Sequence, residues 1–325
     1  MLSPKALPFF LGPLAAATQL PLPRTIHQFP NPTWLENIAS TRNGTLLTGV
    51  LGATAALHLI DPFASDSAPV DSLLYDFPSA NSVFGISELS PNIFAVATGN
   101  YSTTSGATEG TSSLWTVGLN SLEKEDGTPA VRKVVDLKDT SLVNGIAALN
   151  KDTVLVADSL AGTILGVSVK TGEYHVLHDD ISLAPNLTAS PAIGVNGLKY
   201  LAPNLYFTST RLGAFRVRVD PDTGAAVGPY VKLASLEVPD DLAVTDDGTV
   251  FVARPLGDVV EKVGVDGDVT VIAGGAGEEV VRGATAVTLG RTWRDRGVVY
   301  VCTMGGFAED GSFVEGGKIV AVSMD

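Results

Sequence analysis

The chain has 325 residues, 45% hydrophobic and only 17% charged, with 34 glycines and 19 prolines. That excludes a disordered, coiled-coil or collagen-like protein and suggests many short strands joined by turns. Its 21 Lys and Arg against 35 Asp and Glu give a net charge of −14 with no offsetting basic patch, so a nucleic-acid partner is not expected; one cysteine, Cys302, excludes a disulfide framework and a thiolate zinc cluster.

Residues 1–24 read as a leader or N-terminal arm. Residues 1–19 carry one lysine, a short apolar run and Ala15-Ala16-Ala17, the pattern of a secretory signal cleaved near Ala17, although Pro8 and Pro13 interrupt the run. A packed or disordered arm is the alternative, so the expected location is the secretory route or, failing that, the cytoplasm. Sequons at Asn43, Asn100 and Asn186 fit the first, and no segment is long and apolar enough to be expected to span a membrane.

From about Thr25 to Asp325 a single domain is expected, because one short motif recurs six times. Copies start at Glu36 (ENIASTRNGTLLTG), Phe84 (FGISELSPNIFAVATG), Asn144 (NGIAALNKDTVLVADS), Asn196 (NGLKYLAPNLYFTST), Asp240 (DDLAVTDDGTVFVAR) and Ala284 (ATAVTLGRTWRDRGVVYVCT). Each pairs an inner strand with a second strand, and the spacing matches one four-stranded propeller blade. Alternating segments between the copies supply third strands (56–62, 114–120, 164–172, 214–224, 259–268) and outer strands (72–78, 132–137, 174–180, 230–235, 269–274). The sixth blade ends with KIVAVSM at 318–324, so TIHQFP at 25–30 is expected to supply its outer strand. The fold class is therefore all-β, a six-bladed β-propeller closed by an N-terminal strand.

Inner strands of a propeller surround the axis, so the copy starts should converge on one mouth. Glu36, Asn144, Asn196 and Asp240 form a ring of hard oxygen donors suited to calcium or magnesium, with Phe84 and Ala284 apolar between them. Asn-Gly and Asp-Asp before a strand are also ordinary turn residues. The second strands end at Asn100, Asp158-Ser159, Ser209-Thr210, Arg254 and Thr303-Met304, the expected outer ring. Trp34 would either cap the core or wall the mouth. His175 and His178 fall in an outer strand, as packed or solvated residues. Residues 102–113 form a polar insertion readable as a mobile loop or a lid. No GxSxG elbow, P-loop or dinucleotide GxGxxG is present, so acyl-enzyme, phosphoryl and hydride chemistry lack support.

The six copies resemble the SMP-30/gluconolactonase-like propellers over nearly the whole chain. That resemblance implies a metal held by Glu36, Asn196 and Asp240, with Asn144 toward a lactone substrate. Asp241 stands where a small residue is usual, and Asn37 follows the first-blade Glu. The segments WLENIASTRNGTLL, FGISEL, NGIAAL, VADSLAGTI, VNGLKY and GRTWRDRGVVYVCTMGG are more similar to a fungal secondary-metabolism branch that includes hetero-Diels–Alderases of tropolone sesquiterpenoid, or meroterpenoid, pathways. This second resemblance implies a pericyclic enzyme joining an o-quinone methide to a humulene-type alkene. Its partners would be small molecules, and the cycloaddition would require no cofactor. In that reading Trp34, Phe84 and Met304 wall the pocket, and Asn100, Ser209 and Thr303 also line it. Asn144, Asn196 and Arg254 donate hydrogen bonds to the quinone-methide oxygen, while Glu36, Asp158 or Asp240 assists dehydration. A metal-dependent lactonase and a noncatalytic ligand-binding propeller are the alternatives.

Overall fold

The computed structural model describes residues 23–65, 68–122, 127–188, 192–275 and 277–325. The leader reading falls almost wholly on residues 1–22 and lies outside the described residues. Alternating apolar positions and turn residues make short antiparallel strands, and among the described residues these form six four-stranded sheets. Blade 1 is Trp34–Ser40, Leu46–Leu51, Ala56–Ile60 and Asp71–Asp76. Blade 2 is Ser82–Ser90, Ile93–Gly99, Ser113–Gly118 and Ala130–Asp136. Blade 3 is Val143–Asn150, Thr153–Asp158, Thr163–Ser168 and Tyr174–Asp179. Blade 4 is Val195–Leu201, Asn204–Ser209, Gly213–Arg218 and Val231–Ala234. Blade 5 is Leu242–Val244, Val250–Arg254, Val259–Val263 and Val269–Gly274. Blade 6 is Ala284–Leu289, Val298–Thr303 and Lys318–Ser323, with Arg24–Gln28 paired antiparallel to the last of these.

The inner strands contact one another in sequence, and that of blade 6 meets that of blade 1, so the sheets form the expected six-bladed ring. Each seam between neighbouring blades carries its own buried apolar cluster. Leu47, Leu57, Val83 and Phe94 join blades 1 and 2, while Leu46, Ile60, Tyr300 and Ile319 join blades 6 and 1. The core is therefore toroidal and leaves the axis for polar side chains.

The repeated motif has a steric cause. Five inner strands carry a register shift at their copy start, between Leu35/Ile38, Val83/Gly85, Val143/Ile146, Val195/Leu198 and Ala284/Ala286. Such a bulge re-aims the side chains around it. The glycine that follows packs on the next blade's bulge: a Cβ on Gly85 would lie 2.7 Å from the Asn144 carbonyl oxygen, and one on Gly145 would lie 2.5 Å from that of Asn196. Thr48 donates to the Asn37 carbonyl at 2.9 Å, and Thr285 donates to that of Leu35 at 2.7 Å, which satisfies carbonyls near the blade 1 bulge.

The insertion at 102–113 contains part of a small hairpin, Tyr101–Ser102 against Gly106–Ala107. His178 is buried and bonded on both ring nitrogens, to the Tyr230 hydroxyl at 2.7 Å and the Gly224 carbonyl at 2.8 Å. It is a structural link between blades 3 and 4.

Candidate functional site

At the end of the axis where the inner strands begin, a cavity of about 500 Å3 opens to the surface. Four of the six copy starts put polar side chains into it, Glu36, Asn144, Asn196 and Asp240, all of them buried. Phe84 also lines it; Ala284 is fully buried outside it.

Trp34 walls the mouth, and its indole N–H donates to Glu36 Oε2 at 2.7 Å. Burial, then repulsion from Asp240, holds the Glu36 carboxyl well above the usual carboxylate range. The Trp34 hydrogen bond opposes that rise, and Asp241 adds to it. Asp240 is pushed up by burial and then by Asp241, with a hydrogen bond from Asn196 opposing. Two carboxyl groups that both resist ionisation beside each other favour holding a proton at neutral pH, or sharing a positive counter-charge. Asn196 Nδ2 donates to the Thr210 hydroxyl at 3.3 Å, while its Oδ1 is buried with no hydrogen-bond partner.

Several expected site residues are corrected by this geometry. Asp158 does not line the cavity, because its carboxylate accepts from the backbone N–H groups of Ser141, Leu142 and Ala161 at 2.9, 3.0 and 3.3 Å and caps the turns there. Arg254 does not line the cavity; its largely buried guanidinium donates to Glu261 Oε1 at 2.5 Å and to the Glu237 carbonyl at 2.6 Å. Asn100 accepts from the Asn81 backbone at 3.0 Å, and Thr303 accepts from the Lys318 backbone at 2.9 Å. Ser209 is fully buried away from the cavity. Of the expected outer ring, Thr210 and Met304 line the cavity.

Sequence reasoning missed Tyr101, Leu142, Ile193, Leu256 and Phe307, all on the connections that rim the mouth. Burial, then the charges of Glu36 and Asp240, raises the Tyr101 hydroxyl above the ordinary phenol range, so it stays a neutral donor. Its nearest sequence signal is the polar insertion that it opens.

Asn37 and Asp241, the two departures from the SMP-30 pattern, meet each other. Asn37 Nδ2 donates to Asp241 Oδ2 at 3.0 Å, and Lys199 Nζ pairs with the same carboxylate at 2.8 and 3.0 Å. Lys199 in turn lines a wider opening of about 980 Å3 formed where the inner strands end. The network thus fills the axis where a small residue would leave a gap. Lys199→Met is expected to cost about 3 kcal/mol, because it strands a buried carboxylate. Lys199→Met/Asp241→Asn should recover most of that loss, read as a shift in the denaturant midpoint at constant m-value.

Two carboxyl groups with the free Asn196 Oδ1 and nearby Asn144 make a donor set that fits a hard divalent cation, which prefers oxygen ligands. Among the described residues no group of three or more His, Cys, Asp or Glu is assembled for a metal, so the amides would have to complete the set.

No family model matches the chain. It is 25% identical over 322 residues to a protein of Phoma sp named "Putative hetero-Diels-Alderase", with 89% of each chain covered. It is 26% identical over 318 residues to "Putative hetero-Diels-Alderase asR5" of Sarocladium schorii, covering 86% of this chain and 78% of that one. Among solved structures it is similar to a luciferin-regenerating enzyme, with a TM-score of 0.64 at 15% identity over 93% of this chain and 95% of the other. It is also similar to regucalcin, a calcium-binding protein of Agrobacterium tumefaciens, with a TM-score of 0.59 at 16% identity and the same coverage, 93% and 95%. At those identities the structural likenesses carry the fold alone. The resemblance read from the repeated segments stands: a six-bladed propeller whose curated relatives are named as hetero-Diels–Alderases.

Proposed function

We propose that the protein catalyses a hetero-Diels–Alder reaction, joining an o-quinone methide of tropolone or polyketide origin to a humulene-type alkene in the axial cavity. The observation that carries this reading is the two-toned well itself: apolar walls over a floor of two protonatable carboxyl groups and two amides. The names of the two relatives support it at the level of reaction class. The reaction needs no nucleophile, and no cofactor is consumed in it.

Two steps are assigned. In the first, a hydroxymethyl precursor loses water: a protonated Glu36 or Asp240 donates to the departing hydroxyl as the C–O bond breaks, and the ring hydroxyl proton passes to the other carboxylate or to water. In the second, the oxadiene and the alkene form one C–C and one C–O bond together. Asn144 and the Tyr101 hydroxyl donate to the oxadiene oxygen, which withdraws electron density from the diene and stabilises charge developing there, while Asn196, its N–H groups held by Thr210 and Asp240, steadies the Asp240 carboxyl. The walls hold both partners in a reactive pose, converting a bimolecular encounter into an effectively unimolecular one.

The test is incubation of the protein with an o-quinone-methide precursor and humulenol. One adduct should rise in yield and stereochemical purity over the uncatalysed mixture; an unchanged product mixture overturns the assignment. Asn144→Ala should lower the rate of adduct formation roughly 100-fold, the usual effect of removing one oxyanion donor, with the precursor still bound.

A second reading, a metal-dependent lactone hydrolase, is favoured by one observation, the buried and unpartnered Asn196 Oδ1 beside the two carboxyl groups. Glu36, Asn196 and Asp240 would hold the cation, which when bound would polarise a lactone carbonyl and acidify water. A chelator separates the two: adduct formation persists under the first reading, whereas lactone hydrolysis would be lost under the second.

A further inference from the structure

The rim of the well differs from one side of the axis to the other. In blades 2 and 6 the connection between the second and third strands is long, residues 100–112 and 304–317, whereas in blades 3, 4 and 5 it is a tight turn, residues 159–162, 210–212 and 255–258. The two long connections flank blade 1 and bring Tyr101 and Phe307 edge-on to Trp34, with ring centroids 6.0 and 5.8 Å away. The blade 6 connection holds its own shape through a Phe307–Phe313 bridge, with the two rings 5.0 Å apart. Elsewhere around the well, the blade 4 to blade 5 connections contribute a mostly aliphatic lining, Val238, Pro239, Pro255 and Leu256, with Thr210 as its polar member, whereas Ile193 packs in the same apolar cluster as Trp34 and Tyr101. Both rims carry apolar side chains to solvent, Phe307 at 42% and Leu256 at 68% exposure.

We propose that the well sorts its two partners by wall: the planar conjugated oxadiene lies against Trp34, Tyr101 and Phe307, and the flexible alkene lies against Val238, Pro255 and Leu256. The proposal rests on the cycloaddition reading and assigns the residues that would set partner specificity. An electron-poor planar ring gains from stacked or edge contacts with aromatic side chains beyond the area that it buries. A flexible hydrocarbon ring has no such preference and gains through dispersion and burial against branched aliphatic groups of any orientation. The aromatic wall is also the one tied to the polar floor, since Trp34 donates to Glu36, so an oxygen-bearing ring seated there is next to its proton donor. The uneven loop lengths then have a chemical consequence: one face of each partner is fixed before the bonds form.

The experiment is equilibrium binding, without turnover, of tropolone and of humulene to the full chain and to Phe307→Leu, Phe307→Tyr and Leu256→Ala, each checked for an unchanged melting temperature. Phe307→Leu should weaken tropolone binding at least fivefold and leave humulene within twofold, Phe307→Tyr should restore tropolone affinity, and Leu256→Ala should show the opposite selectivity. Equal weakening of both probes by each variant overturns the assignment, as does a wild-type chain that binds neither. Sorted binding in a protein that makes no adduct would uphold the two walls and remove the cycloaddition reading. Adduct formation with unsorted binding would do the reverse.

Discussion

Gly145→Ala is expected to destabilise the protein by about 3 kcal/mol, at the upper end of what one added methyl does in a packed interior. The new Cβ would sit 2.5 Å from the Asn196 carbonyl oxygen, 2.7 Å from Gly197 Cα and 2.8 Å from the Leu198 nitrogen, all of them backbone that cannot swing aside. Relief requires blade 4 to move away from blade 3. Because the atom struck belongs to Asn196, the displacement passes directly to the floor of the cavity, so ligand affinity should fall along with stability. Gly297→Ala is the control: a Cβ there meets nothing within 4 Å, and the position lacks the positive φ that would strain an alanine. It should be neutral or stabilising by about 0.5 kcal/mol through the unfolded chain. Chemical denaturation of both variants checks the pair, and a Gly145→Ala midpoint equal to that of Gly297→Ala would show that the blades are looser than this contact implies.

That steric requirement is also why the ring was legible before the structure. Phe84-Gly85, Asn144-Gly145 and Asn196-Gly197 repeat because each glycine must accept the next blade's backbone, and a periodic constraint leaves a periodic trace. The axial residues Glu36, Asn144, Asn196 and Asp240 were readable for the same reason. The outer ring was not, because strand ends do not disclose which way a side chain turns. Asp158 and Asp240 both sit beside strand ends at the mouth, yet Asp158 faces the N–H groups of its neighbouring turns while Asp240 faces the axis. Arg254 was lost to two local acids, Glu237 and Glu261, which pair with it at 3.5 and 2.5 Å. Tyr101, Leu256 and Phe307 lie in connections that obey no period, so only their spatial meeting with Trp34 or the cavity marks them. Asn37 and Asp241 were visible as departures, but their contact across the axis and their shared partner Lys199 were not.

Asp240→Asn should make the protein more stable at neutral pH and much less active. In the wild type, Glu36 and Asp240 are both buried and both pushed above the ordinary carboxyl range, so the folded state holds their protons more tightly than the unfolded state does. The sign follows: their favourable contribution is complete below about pH 4, where unfolded carboxyls are protonated, and is lost as pH rises toward and through the raised folded-state values. Melting temperature in the presence of a chelator should therefore decline as pH rises from about 4 to 7, beyond what the rest of the acidic surface causes. The asparagine removes one member of the repelling pair, so the decline should flatten, with a gain of about 1 kcal/mol at pH 7, the scale typical of relieving a functional-site conflict. Activity should move the other way, with dehydration of the hydroxymethyl precursor slowed roughly 100-fold by loss of one acid–base group. Cycloaddition of a quinone methide generated chemically in solution should be far less affected, since that step draws on Asn144, Tyr101 and the walls. Calcium or magnesium supplies a further contrast. If the wild-type melting temperature rises on adding either cation at pH 7 and that of Asp240→Asn does not, the carboxyl pair binds the ion as its counter-charge. A response equal in both proteins would place any bound cation elsewhere and leave the pair to act through its protons.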